Sequence, residues 1–127
     1  VIPKFRAWIK DYQVMRSVEF LAFNEKDIAE IFTNPEDGEP EDFRHTHSPE
    51  QAIVMQSTGM KDDNDVEIYE GDLLSLDGSK PYHVYWDDGA FQVGEVSDLS
   101  YVNGYCVSLV VVGNIYENPE LLEEVEK

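Results

Sequence analysis

Apolar and polar residues alternate with a period of two along much of this chain, the signature of strands with one covered face. Phe5, Ala7 and Ile9 alternate with Lys4, Arg6 and Trp8, which predicts a first short strand ending in a turn at Asp11. Val14 to Phe23 is rich in Val, Phe, Leu and Met without helical spacing, so a second strand paired with the first is expected. The period then changes. Ile28, Ala29, Ile31 and Phe32 fall at helical spacing behind Asn24, a good cap, and predict two amphipathic helical turns that stop before Pro35. Residues 33 to 50 carry three prolines, one glycine and six acids and read as a loop.

Beyond that loop the two-residue period returns. A strand is expected from Met55, followed by a polar turn over Lys61 to Asp65, an extended Glu67 to Tyr69, and a reversal at Glu70, Gly71 and Asp72. Leu73 to Leu76 is the next strand, and Asp77 with Gly78 is a hairpin signal. Tyr82, Val84 and Trp86 then alternate with His83 and Tyr85 before Asp88 and Gly89 turn the chain into Phe91 and Val93. Tyr105 to Ile115 reads as an apolar strand or strand pair, and Asn118 with Pro119 opens a short helix reaching Val125. The expected class is therefore mainly β, α+β overall. Residues 1–50 supply a strand pair, a short helix and an acidic loop, and residues 51–127 supply a small barrel with a short C-terminal helix. A barrel is expected because closure protects the edges of many short strands in few residues.

Charge alters the functional side of this picture. The 127 residues hold 27 acids and 9 bases, a net charge of -18. From Gln51 onward 16 acids face only Lys61, Lys80 and Lys127, a net of -13, against -5 before it. Phosphate neutralisation needs clustered Lys and Arg, so direct nucleic-acid binding is disfavoured and a cationic partner is favoured. The single cysteine, Cys106, excludes an intramolecular disulfide, and no charged N-terminal stretch leads into an apolar segment, so a cytoplasmic location is expected. Cys106 itself reads as a buried, inert thiol in the apolar closing strand. The apolar run Val107 to Val112, interrupted by Ser108, falls far short of the roughly 20 residues that span a bilayer, so no membrane role is expected.

Four blocks in order, KFRAW from Lys4, MQSTGMKDDNDVEIYEGDLL from Met55, VYWDDGAF from Val84 and VVGNIYENPELL from Val111, resemble the YopX-like proteins of Gram-positive phages and prophages. The resemblance implies a phage or prophage origin and a C-terminal barrel similar to SH3-like folds, preceded by a variable N-terminal strand and helix region. It brings no catalytic residues with it. Members of that family usually carry glycine in the turn where this chain has Asp65, so Asp65 or the adjacent Asn64 is expected to take a positive φ.

Candidate chemistry is sparse. His45 and His47 are spaced so that both rings would share one side of a strand, as in some metal sites, but their Pro, Thr and acidic neighbours favour a loop without metal. Asp62, Asp63, Asn64, Asp65 and Glu67 are rich in oxygen, yet a calcium loop counted from Asp62 or Asp63 has Leu73 or Leu74 where a ligating Glu belongs. These acids read as solvated turn caps. The carboxylate pairs Asp87 with Asp88 and Glu70 with Asp72 have no nucleophile or phosphate-cradling motif beside them, so neither an enzyme nor a bound cofactor is expected.

Aromatics are the richer signal. Alternation puts Tyr85 opposite Tyr82, Val84 and Trp86, so one of these sets reaches the surface near Asp87 and Asp88, where an aromatic face beside carboxylates suits a cationic side chain. Tyr85, Trp86, Asp87 and Asp88 are thus the expected partner-binding residues. The leading functional expectation is a non-enzymatic acidic interaction module that binds a basic host or phage protein. The alternatives are a mimic of DNA that blocks a host nucleic-acid-binding protein and, third, a metal-dependent enzyme using His45, His47 or the acidic turns. An exposed strand edge also admits a homodimer.

Overall fold

The computed structural model describes residues 4–25, 27–40, 45–105 and 108–124. The fold is mainly β, all strand pairings are antiparallel, and the chain divides into two compact units, Val1–Gln56 and Ser57–Lys127. Cys106 and Val107 lie outside the described residues, so the expected buried thiol does too.

In the first unit, strands β1 (Phe5–Ile9), β2 (Val14–Phe23), β3 (Ile28–Thr33) and β4 (His45–His47) and the first half of β5 (Ala52–Lys61) lie in the order β4-β3-β2-β1-β5. β1 and β2 form the expected hairpin, with Ile9 opposite Val14. Alternation sends Ala7 and Ile9 inward, where they join Ile31 and Ala52 in a small apolar cluster extended by Val14, Val18, Leu21, Ile28 and Val54. β5 starts at Ala52, three residues before the expected Met55, because Ala52 to Gln56 are held along β1.

The helix expected behind Asn24 is not formed; β3 occupies its place. Asn24 does cap, its Oδ1 accepting the Asp27 amide at 3.2 Å, but what it caps is a hairpin turn that Asn24 N–H to Asp27 C=O closes at 3.0 Å. Two isolated helical turns are marginal in water. A ladder along β2, with Ile31 and Thr33 fully buried, satisfies the same backbone groups and covers more apolar surface. The predicted loop over residues 33 to 50 likewise contains a strand, since His45, Thr46 and His47 pair with Thr33, Phe32 and Ile31.

In the second unit the rest of β5 pairs with β6 (Glu67–Tyr69), and a five-stranded sheet is built from β7 (Asp72–Leu76), β8 (Tyr82–Asp87), β9 (Ala90–Val93), β10 (Ser97–Asp98) and β11 (Leu109–Asn114) in the order β10-β9-β8-β7-β11. Asp77 (φ 51°) with Gly78 (φ 79°) and Asp88 (φ 52°) with Gly89 (φ 80°) make the primed two-residue turns that the Asp-Gly pairs announce. Asp65 takes a φ of 65°, the expected left-handed position. Leu99–Tyr105 forms a helix, α1, that the strand period hides: Asp98 Oδ1 accepts the Tyr101 amide at 2.8 Å, and Leu99 and Val102 are buried one turn apart. They join Ile68, Leu74, Leu76, Val84, Val93 and Leu109 in the unit's core. A 3-10 helix over Pro119–Glu124 stands where a short helix is expected.

Among the described residues neither sheet closes into a barrel. The reason lies at β11. Its outer edge is paired with a turn in place of a strand: the Leu109 and Val111 amides donate to Asp63 Oδ2 at 3.2 Å and Asp62 Oδ2 at 2.8 Å, and Leu109 C=O accepts the Asp63 amide at 2.9 Å. The edge is thereby protected without closure. Of the turn acids expected to be solvated, Asp63 and Asp65 are exposed, and Asp62 alone departs from that reading. Asp62 is buried, and its Oδ1 takes two further amides, those of Asn64 and Val66, both at 2.9 Å.

Candidate functional site

Two places in the fold gather chemistry, one in each unit. The first is the tip of the β8–β9 hairpin. Register sets Trp86 opposite Phe91 and Asp87 opposite Ala90, so Asp88 and Gly89 form the apex. Trp86 shares the face of buried Val84 but lies beyond the core, and 52% of it is exposed. Phe91 supports it edge-on, with centroids 4.8 Å apart and planes at 74°. A cavity of about 240 Å³ opens there, lined by Trp86, Phe91, Ala90, Met60 and Leu99 with Asp98 at its margin.

Of the residues singled out from sequence, Trp86, Asp87 and Asp88 are exposed at this tip, whereas Tyr85 points to the other face. Its hydroxyl donates to Gly94 C=O at 2.7 Å and its ring lies beside His83, so it fastens the hairpin. Phe91 and Met60 complete the tip. Their signal, a cross-strand partner for Trp86 and a thioether from a distant strand, emerges only once the register is known.

The second place is a corner of the first unit. On the apolar face of its sheet, Arg16 of β2, Thr33 of β3 and His45 and His47 of β4 project from neighbouring strands. The turn after Pro35 folds two acids back onto them: Glu39 N–H donates to Glu36 C=O at 3.0 Å, and the Glu36 amide donates to Glu39 Oε1 at 2.6 Å. His45 Nε2 lies 2.8 Å from Glu39 Oε1 and 3.7 Å from Glu36 Oε2, while Arg16 pairs with Glu36 Oε1. His47 Nε2 is 3.4 Å from Thr33 Oγ1, and the two imidazoles lie side by side with centroids 6.4 Å apart. Partial burial, then the neighbouring His45 and Arg16, hold the His47 pKa below its ordinary value. A cavity of about 510 Å³, lined by Ile9, Tyr12, Val14 and these polar groups, opens beside the cluster. The reading of His45 and His47 as loop residues is thus corrected, because β4 sets both rings on one side of a strand.

Across residues 4–123 the sequence matches the family model described as YopX protein. The chain belongs to the YopX family. A solved structure of similar shape is the crystal structure of protein EF1440 from Enterococcus faecalis. It is 32% identical, with a TM-score of 0.74 over 96% of this chain and 99% of that one. No curated protein matches. Among the described residues of this YopX protein no helix is long and apolar enough to cross a membrane.

His83, beside Tyr85 on β8, is expected to make the stability of this protein depend on pH. Burial lowers its pKa from the ordinary 6.5. The unfolded chain therefore binds this proton more readily than the folded one, and the associated stability is complete above about pH 6.5 and declines as the pH falls towards the folded-state pKa. Thermal melts between about pH 7.5 and 5.5 are expected to show a falling midpoint, with a shallower fall in His83→Gln. An unchanged slope in that variant would remove His83 as a cause.

Proposed function

We propose that this YopX protein is a non-enzymatic interaction module of phage or prophage origin that takes a Lys- or Arg-bearing segment of a basic host or phage protein at the β8–β9 tip. The observation that carries this reading is Trp86, an indole half exposed at a hairpin apex and held edge-on by Phe91, with carboxylates on the next two residues. An indole face attracts a guanidinium or ammonium group, and adjacent carboxylates add charge pairing without burying it. The cavity of about 240 Å³ is below the range of a typical small-molecule pocket and suits the end of one side chain. The net charge of -18 would steer a cationic partner towards the molecule.

Nucleic-acid mimicry, the reading that charge alone also allows, draws less support. Asp62 and Asp72 are buried with their carboxylate oxygens on backbone amides of their own unit, which removes them from any row of phosphate substitutes. Calorimetric titration with an arginine-rich peptide tests the tip directly. Binding is expected to weaken with added salt and to fall about tenfold in Trp86→Ala, the loss of roughly 1–2 kcal/mol of cation and apolar contact. Tyr12→Ala, which removes an exposed aromatic of the other unit, should leave it unchanged. Equal affinities in wild type and Trp86→Ala would mean attraction by overall charge and would end the assignment.

A further inference from the structure

We propose that Glu36, Glu39 and His45 form a binding site for a divalent transition-metal ion of the zinc type, with the remaining coordination position open to the adjacent cavity. The three side chains bring one nitrogen and two carboxylate groups within 4.8 Å of one another. A tetrahedral ion about 2.1 Å from each ligand atom requires ligand-to-ligand separations of about 3.4 Å. The observed distances from His45 Nε2, 2.8 Å to Glu39 Oε1 and 3.7 Å to Glu36 Oε2, lie on either side of that value.

The surroundings favour such a site. Arg16 engages Glu36 through Oε1, which leaves Oε2 as the oxygen on the His45 side and fixes the carboxylate's orientation, the part that outer hydrogen bonds play around metal ligands. Glu39 is oriented in turn by the Glu36 amide. The ligands come from different parts of the chain, one from strand β4 and two from the turn after Pro35, and they converge at a corner of the sheet face that carries the unit's apolar cluster. The cavity of about 510 Å³ is lined by Glu36 and His45, and His47 and Thr33 on its wall can hydrogen-bond a water or an anion at the fourth position. A protein of net charge -18 attracts a dication. The mixed nitrogen and oxygen donors favour zinc over calcium or magnesium, which take oxygen ligands in larger number.

Titration of the tag-free, metal-stripped full chain with zinc chloride, followed by calorimetry and thermal melting, tests the site. Zinc is expected to bind with one-to-one stoichiometry and raise the melting temperature, whereas magnesium and calcium at equal concentration should not. Glu39→Gln and His45→Ala are each expected to weaken zinc binding at least tenfold, and His83→Gln, in the other unit, to leave it unchanged. Circular dichroism establishes that each variant is folded. Cobalt(II) provides a second readout through the visible absorption of a four-coordinate site containing nitrogen, which His45→Ala should abolish. Absence of zinc binding by wild type would overturn the proposal, as would binding that survives both Glu39→Gln and His45→Ala, since the ion would then sit on other acidic groups.

Discussion

Asp62→Ala is expected to destabilise the protein by about 3–5 kcal/mol, the largest effect of any single polar substitution considered for it. One carboxylate takes three backbone amides, those of Asn64, Val66 and Val111, and the residue is only 7% exposed. Each buried amide left without a partner costs about 1–3 kcal/mol, and water entering the vacated space offsets part of the sum. Two functions are lost together. The Lys61 to Val66 turn keeps its backbone bonds but loses the carboxylate that takes the Asn64 and Val66 amides, and the edge of β11 loses an acceptor that stands in for a missing strand. Asp62→Asn separates them, because its amide group can replace only one of the two oxygens, and about half of the loss is expected. Urea denaturation followed by circular dichroism gives both numbers. A loss under about 1 kcal/mol in Asp62→Ala would show that solvent supplies these amides and that the edge of β11 needs no carboxylate.

Features set by adjacent residues were legible in the sequence. Asp77-Gly78 and Asp88-Gly89 announced hairpins because only residues tolerant of positive φ fit a primed turn, and both pairs adopt it. Asn24 was recognised as a cap for the same local reason. What followed Asn24 was misread, because the spacing of Ile28, Ala29, Ile31 and Phe32 fits a helical stripe, whereas their conformation is decided by a ladder to β2 that no local pattern records. α1 failed in the opposite sense: its seven residues are too short to show a helical period beside strong strand signals, although Asp98 is a proper cap.

The candidate sites divide along the same line. Alternation within β8 singled out Trp86 beside Asp87 and Asp88 but not its exposure, since Val84 on the same face is buried and Trp86 is exposed only because it lies beyond the core. The corner of the first unit did not emerge from alternation. His45 gains its meaning from Glu36 and Glu39, nine and six positions earlier, and from Arg16, which reaches it only through the β2–β3–β4 register. Closure was over-predicted for a related reason. Counting short strands suggests a barrel, but whether the last strand finds the first depends on what occupies its outer amides, and here Asp62 and Asp63 occupy them.

Leu74→Ala is the second substitution expected to have a large effect, about 2–5 kcal/mol. β7 lies between β8 and β11, and its adjacent Leu73 and Leu74, which point to opposite faces, are both completely buried. Leu74 belongs to the cluster with Ile68, Val84, Val93 and Leu109, where strands on either side limit how far the backbone can relax into the space left by the missing carbons. A cavity that cannot collapse adds its own cost to the lost transfer free energy, which places this site towards the upper half of the range. Against a typical total stability of 5–15 kcal/mol, that is enough to lower the urea midpoint substantially while leaving the slope of the transition unchanged. Leu74→Met, which keeps volume and apolar character, should cost less than about 1.5 kcal/mol. Equal losses in the two variants would mean that shape at this position matters more than volume, and that β7 is packed less tolerantly than its burial implies.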